Sequence, residues 1–248
     1  MRVDVFNTPQ EVTPAEVGNR AVAVIDVLRA STSIATALAN GARAVVPFAS
    51  SEEVVSRATS LGKGAAKLAG ERKMQAIPGF DFGNSPLEFT PDAVEGQAIL
   101  MSTTNGTAAI LAVQGARDVI IASYVNFSAV LSMLRAALRG DTDVAIVCAG
   151  QDRGFALEDA ACAGLFVRHL TGAQASVDIN DAAQAAMLID RKFGRTLKKL
   201  VNTSAHGAAL ADAGFGDDLA ACIKVDSVPV VPIFQDRQIT RLGTERAR

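Results

Sequence analysis

Two histidines and three cysteines are all the imidazole and thiol that this 248-residue sequence contains. The cysteines (Cys148, Cys162 and Cys222) are odd in number and lack C-x-x-C spacing, which disfavours both a disulfide framework and a structural zinc site. They read as the reduced thiols of a cytoplasmic protein. With only His169 and His206, a histidine-rich metal centre is disfavoured too. Any metal would be a hard cation held by carboxylates, such as magnesium. No apolar stretch approaches the ~20 residues that cross a bilayer, so no membrane span is expected. The first residues, MRVDVFNTPQEV, carry acids and lack an apolar core, so they do not read as a signal peptide. Basic runs never exceed two or three residues and the net charge is −2, which argues against a nucleic-acid surface.

What is present is a large apolar fraction, 49%, cut into short runs. Candidate strands are 3–6, 22–28, 44–48, 66–69, 98–101, 119–122, 144–148, 221–225 and 230–234. Several are apolar throughout, as expected of strands covered on both faces. Helical patterns lie between them, at 34–39 (ended by the Asn40-Gly41 cap signal), 52–61, 108–113, 129–138, 158–170 and 182–193. The alternation predicts a three-layer α/β/α protein with a largely parallel or mixed sheet. The chain reads as one domain over 1–248, with a sub-lobe from about 173–248 as the alternative. The segment from Glu71 to Pro91 holds three of the eight prolines and reads as a long ordered loop, a kind that tends to carry function.

Ligands of open α/β sheets sit beyond the carboxyl ends of strands, so the residues after each apolar run matter most. VIDVLRASTS supplies Asp26, Arg29, Ser31, Thr32 and Ser33. GER supplies Glu71 and Arg72, and GFDFGNSP after it supplies Asn84 and Ser85. STTNGT supplies Thr103, Thr104, Asn105, Gly106 and Thr107. CAGQDRGFALEDAACAG supplies Asp152, Arg153, Glu158 and Asp159. The same kit of carboxylates, arginines, hydroxyls and glycine backbone recurs at four strand ends. It suits a magnesium ion with an anionic ligand: carboxylates hold the cation, arginines and helix N-termini the anion. Each stretch alone has a plainer reading. Asp26 could be a turn residue, and Ser31 to Ser33 or one residue of STTNGT could cap a helix. Glu158 and Asp159 suit a helix N-terminus, and Arg72 and Arg153 could be solvated. His206, in the helix-like SAHGAAL, reads as structural, and Cys148 as a small buried hydrophobe. The coincidence of four strand ends is what points to a site.

Common phosphate-handling designs are missing. Cys148 and Arg153 are separated by AGQD, one residue short of a cysteine-phosphatase loop. A haloacid-dehalogenase type D-x-D would fall on Asp26-Val27-Leu28, where the second acid is absent. There is no Walker A loop and no G-x-G-x-x-G after a strand.

Taken in order, VIDVLRASTSIATALANGA, GER, GFDFGNSPLEFT, STTNGT, CAG with LEDAACAG, SAHGAAL and VPVVPIF resemble the 2-phosphosulfolactate phosphatase family, from Val3 to about Phe234. The resemblance implies that family's own α/β fold and a magnesium-dependent phosphatase. The reaction implied is hydrolysis of (R)-2-phospho-3-sulfolactate to 3-sulfolactate and phosphate, a coenzyme M biosynthesis-type step. In this reading Asp26, Arg29 and Arg72 are catalytic. Ser31, Thr32, Asn84, Ser85, Thr103, Thr104, Asn105, Gly106 and Thr107 hold the substrate. Asp26, Glu71, Glu158 and Asp159 are the pool of magnesium ligands. Attack by water and an aspartyl-phosphate on Asp26 are both open. The partner is a small phosphorylated and sulfonated anion. A homodimer is expected only because symmetric dimers are the commonest assembly. The rivals are a phosphatase of the same fold acting on another small phosphorylated acid, an anion-binding module without turnover, and a purely structural origin of all four clusters.

Overall fold

A computed structural model describes residues 1–172 and 177–243. Among them, eleven strands join one sheet in the order β5-β4-β6-β3-β11-β10-β7-β2-β8-β1-β9. The strands are β1 (Arg2–Phe6), β2 (Ala21–Ile25), β3 (Ala44–Pro47), β4 (Lys67–Arg72), β5 (Gln75–Ala76), β6 (Ala98–Ser102), β7 (Asp118–Ala122), β8 (Val144–Cys148), β9 (Asp178–Ile179), β10 (Pro232–Gln235) and β11 (Gln238–Arg241). Two parallel blocks, β4-β6-β3 and β7-β2-β8-β1-β9, are joined by the antiparallel β10–β11 hairpin. The fold is therefore α/β with a mixed, largely parallel sheet, as the alternating pattern predicts.

The helices are α1 (Pro14–Val17), α2 (Ala30–Ala39), α3 (Ser51–Leu61), α4 (Pro91–Val94), α5 (Gly106–Ala112), α6 (Phe127–Arg139), α7 (Leu157–Thr171), α8 (Asp181–Phe193), α9 (Leu197–Thr203), α10 (Ala205–Asp212) and α11 (Gly216–Cys222). Strand periodicity divides the core between two faces. In β2, Ala21, Ala23 and Ile25 pack with Val130 and Leu134 of α6 and Phe166 and Leu170 of α7. Val22 and Val24 point the other way, toward Ile34 and Leu38 of α2 and Ile110 of α5. β2 is buried along its whole length, which is why its sequence shows no polar alternation. Helices α7 and α8 pack so closely that a Cβ on Gly164 would collide with the Ala186 carbonyl.

The structure corrects several boundaries. The run 22–28 stops being strand at Ile25, because the Ser31 hydroxyl accepts the Asp26 N–H and the Ser31 N–H bonds back to the Asp26 carbonyl. The stretch 221–225 is the end of α11 and a turn, not a strand. In α11, Leu219 and Cys222 are one helical turn apart and both buried. A short apolar run does not distinguish the two periods. β5, β9 and β11 are short or polar and carry too little pattern to be read in advance. The expected ordered loop after Glu71 is found: it contains β5, a bridge between Ala69 and Phe82, and the Ser85-capped turn at Pro86–Glu88.

Candidate active site

Chain segments leaving β2, β4, β6 and β8 converge on one cleft of about 320 Å³. Asp26 follows β2 and is 6% exposed. Its Oδ1 accepts the Ala30 N–H at 3.3 Å. A Cβ on Gly106 would lie 2.5 Å from Asp26 Oδ2 and 2.5 Å from the Ala30 Cβ. Gly106 thus serves a close approach, seating the start of α5 directly on the carboxylate. Burial, more than any other influence, pushes the Asp26 carboxyl up to about 6; Glu71 and Glu158 add like charge, while His206 and the Ala30 N–H oppose the shift.

Glu71 ties β4 to the loop after β6. Its Oε1 accepts the Thr104 N–H at 2.7 Å, and Oε2 accepts the Thr104 hydroxyl at 3.1 Å and the Met74 N–H at 3.0 Å. Arg72, expected to be catalytic, turns away from the cleft. It donates to the Ser102 hydroxyl at 2.9 Å and to the carbonyls of Glu71 and Ser102 at 2.7 and 3.3 Å. It is a brace between two strand ends.

Within STTNGT the hydroxyls divide. Thr103 and Thr107 satisfy one another: the Thr107 N–H donates to Thr103 Oγ1, the Thr107 hydroxyl to the Thr103 carbonyl, and the Thr103 N–H to Thr107 Oγ1, all at 3.0–3.1 Å. This pair starts the helix, and both residues are buried away from the cleft. Thr104 and Asn105 line the cleft, and Asn105 Oδ1 accepts the Asp152 N–H at 3.1 Å.

The hydroxyls after β2 are likewise internal. Ser31 caps Asp26, and Thr32 donates to the Val27 carbonyl at 3.1 Å and meets Ser123 Oγ at 2.9 Å. Ser33 donates to the Asn84 carbonyl at 2.7 Å. Asn84 itself lines the cleft, and its buried Oδ1 accepts no hydrogen bond from the described residues. Ser85 lies behind, donating to Asp218 Oδ1 at 2.6 Å. Asp218 Oδ2 holds Arg29 Nη1 at 2.6 Å, Arg29 Nη2 donates to the Met74 carbonyl at 3.0 Å, and the Phe215 ring centroid lies 4.3 Å from the guanidinium carbon. Arg29 is therefore a fixed, buried cation in the wall.

Glu158 and Asp159, expected as metal ligands, stand behind the cleft. Both Asp159 oxygens accept backbone N–H groups, from Val27 at 2.8 Å and Gly150 at 3.1 Å, pinning the ends of β2 and β8 together. Burial, then the charges of Asp26 and Glu158, raise the Asp159 carboxyl well above the usual range. Glu158 Oε1 lies 3.1 Å from His206 Nδ1, while its buried Oε2 has no hydrogen-bond partner among the described residues. His206 lines the cleft, contrary to the expectation of a structural residue. Burial lowers its basicity, but the Glu158 hydrogen bond and the charges of Glu158 and Asp26 outweigh that and raise it overall. Lys73, Met74, Gln151 and Asp152 complete the lining. Gln151 and Asp152 stood in the CAGQDRG stretch singled out by sequence, and Lys73 and Met74 at the start of the long loop. Lys73 follows GER directly, whereas Asp218 and Phe215 gave no local signal. Cys148 is buried with its thiol raised by burial, as expected of a packed hydrophobe, and all three cysteines are unpaired. Among the described residues, no three acid, imidazole or thiol groups are clustered tightly enough to cage a metal ion.

Residues 6–237 match the family described as 2-phosphosulpholactate phosphatase. The chain belongs to that family. It is 43% identical over 232 residues to the "Probable 2-phosphosulfolactate phosphatase" of Symbiobacterium thermophilum, covering 93% of this chain and 98% of the relative. Proteins of the same description from Clostridium beijerinckii and Synechococcus sp. (strain JA-3-3Ab) are 32% and 46% identical. The first match covers 97% of this chain and 99% of the relative, the second 66% and 67%. The family thus places the chain among phosphoric monoester hydrolases, and the matched span includes every cleft residue named above. Among the described residues, no helix is long and apolar enough to cross a membrane.

Proposed function

We propose that this chain hydrolyses (R)-2-phospho-3-sulfolactate to 3-sulfolactate and inorganic phosphate, and that it does so with magnesium. The observation that carries the reading is the charge balance of the cleft. Asp26, Glu71 and Asp152 line it together with Arg29, Lys73 and His206, and Arg29 is already paired with Asp218. The buried carboxylates of Asp26 and Glu71 would only repel a phosphoryl group seated beside Arg29 unless a cation joins them. Magnesium needs only one or two carboxylates, with water and substrate oxygens completing its shell, so the absence of a three-ligand protein cage among the described residues is compatible with it. Asp26 and Glu71 are the residues that would hold it. When bound, the ion would neutralise phosphate oxygens.

The remaining roles fall to this chain's own groups. Arg29, immobilised by Asp218, Met74 and Phe215, would stabilise charge on the transferring phosphoryl group without reorganising during reaction. Thr104, Asn105 and Asn84, whose Oδ1 has no partner among the described residues, would orient the substrate. Attack by water on phosphorus breaks the ester P–O bond and leaves the sulfolactate hydroxyl. An aspartyl-phosphate on Asp26 is the competing route, and trapping an acid-labile phosphoenzyme would replace the water route with it. The test is phosphate release from racemic 2-phospho-3-sulfolactate, with magnesium and with excess EDTA. Fast, EDTA-sensitive release of about half the phosphate is expected for one enantiomer. Release unaffected by EDTA would remove magnesium from the reading. No release from this or other phosphoesters would remove the phosphatase.

A further inference from the structure

The mouth of the cleft is formed by two tight hairpin tips. Arg72 pairs with Gln75, so Lys73 and Met74 alone connect β4 to β5, with φ of 51° and 69°. At the second tip, which follows β8, Gln151 pairs with Gly154, and Asp152 and Arg153 have φ of 50° and 66°. Two-residue turns of this kind favour Asn and Gly, which tolerate the left-handed region; lysine, methionine and arginine do not. Strained turns that persist are held by their surroundings and concentrate at functional sites. Here the holding groups belong to the cleft. Met74 donates to Glu71 and accepts from Arg29, and Asp152 donates to Asn105.

The two tips bring one cleft-lining side chain of each sign to the mouth, Lys73 after β4 and Asp152 after β8, while the exposed Arg153 beside Asp152 does not line the cleft. Neither forms an ion pair among the described residues. Arg29, the deep cation, is committed to Asp218. Lys73 is thus an exposed cation that lines the cleft and has no ion pair among the described residues.

We propose that Lys73 is the specificity-determining residue that receives the substrate's second anionic end, its sulfonate or carboxylate. Asp152, on the other tip, repels that end, so attraction and repulsion together set the orientation. This assignment rests on the phosphatase reading above.

The test substitutes Lys73→Asn, which removes the charge while placing a residue suited to the left-handed turn. Three constants are measured: KM for 2-phospho-3-sulfolactate and the inhibition constants of its two products. KM and the inhibition constant of 3-sulfolactate should both rise roughly tenfold to a hundredfold, the scale of one charged hydrogen bond. The inhibition constant of inorganic phosphate, which has no second anionic end, should stay within about threefold. Lys73→Arg should restore most of the loss, and Asp152→Asn should tighten 3-sulfolactate. If all three constants shift together, or none moves, the assignment is overturned while the phosphatase reading stands. A wild-type protein that releases no phosphate overturns that reading and this assignment with it.

Discussion

Asp26 holds its proton to about pH 6, chiefly because burial penalises the charged form. The unfolded chain releases that proton near the ordinary aspartate value. Between those two points the folded state binds more protons, so stability falls as pH rises, by roughly 3 kcal/mol once both states are ionised. His206 acts in the same direction: its raised basicity contributes stability below the ordinary histidine range that is lost as pH rises through its folded value. Urea unfolding in EDTA should therefore show Asp26→Asn gaining on the wild type between about pH 4 and 7. A constant difference across that range would mean that Asp26 ionises normally. Magnesium held at Asp26 would offset the cost, so added magnesium at pH 7 should raise the wild-type Tm and leave that of Asp26→Asn unmoved. The STTNGT hydroxyls make a second residue-scale contrast. Thr103→Ala breaks the Thr103–Thr107 cap and should cost about 1 kcal/mol in unfolding assays. Asn105→Ala should cut turnover with a much smaller change in Tm, because its side chain faces the cleft and caps nothing.

At the scale of elements, the site depends on helices far apart in sequence. α11 reaches Arg29 through Asp218, joined by Phe215 just before the helix, and Asp218 also holds Ser85 of the long loop. Asp218→Ala leaves a buried guanidinium without its counter-charge, so a loss of about 3–5 kcal/mol in denaturant unfolding is expected. A loss below 1 kcal/mol would show that solvent reaches Arg29. The start of α5 is fixed by Gly106. Gly106→Ala collides with both Ala30 and the Asp26 carboxylate, and turnover should fall further than stability does.

For the whole molecule, the C-terminal hairpin is the seam. β10 pairs with β7 and β11 with β3, so the last strands join two parallel blocks built much earlier in the chain. The β11–β3 register is a single residue pair, Ile239 with Val45, and Ile239 is fully buried. Ile239→Ala should cost about 2–5 kcal/mol, read as a shifted urea midpoint. Strand ends of both blocks contribute to the cleft, so this distant change should also weaken phosphate release before the protein unfolds.

The sequence by itself determined the class of fold and the neighbourhoods of the site. Most strands of the parallel blocks, the five longest helices and α5 were legible because each carries its own apolar period, set by which faces are covered. Asp26, Arg29, Glu71, Asn84, Thr104 and Asn105 were legible because strand ends are where α/β sheets hold ligands. Which hydroxyls face inward was not legible: Ser31, Thr32, Thr103 and Thr107 can cap or bind, and only the packing of α2 and α5 against Asp26 commits them to the backbone. The direction of Arg72, the burial of Glu158 and Asp159 behind the wall, and the arrival of His206 and Asp218 were decided by tertiary structure. Those contacts join residues dozens to nearly two hundred positions apart, and no local period or spacing records such a meeting.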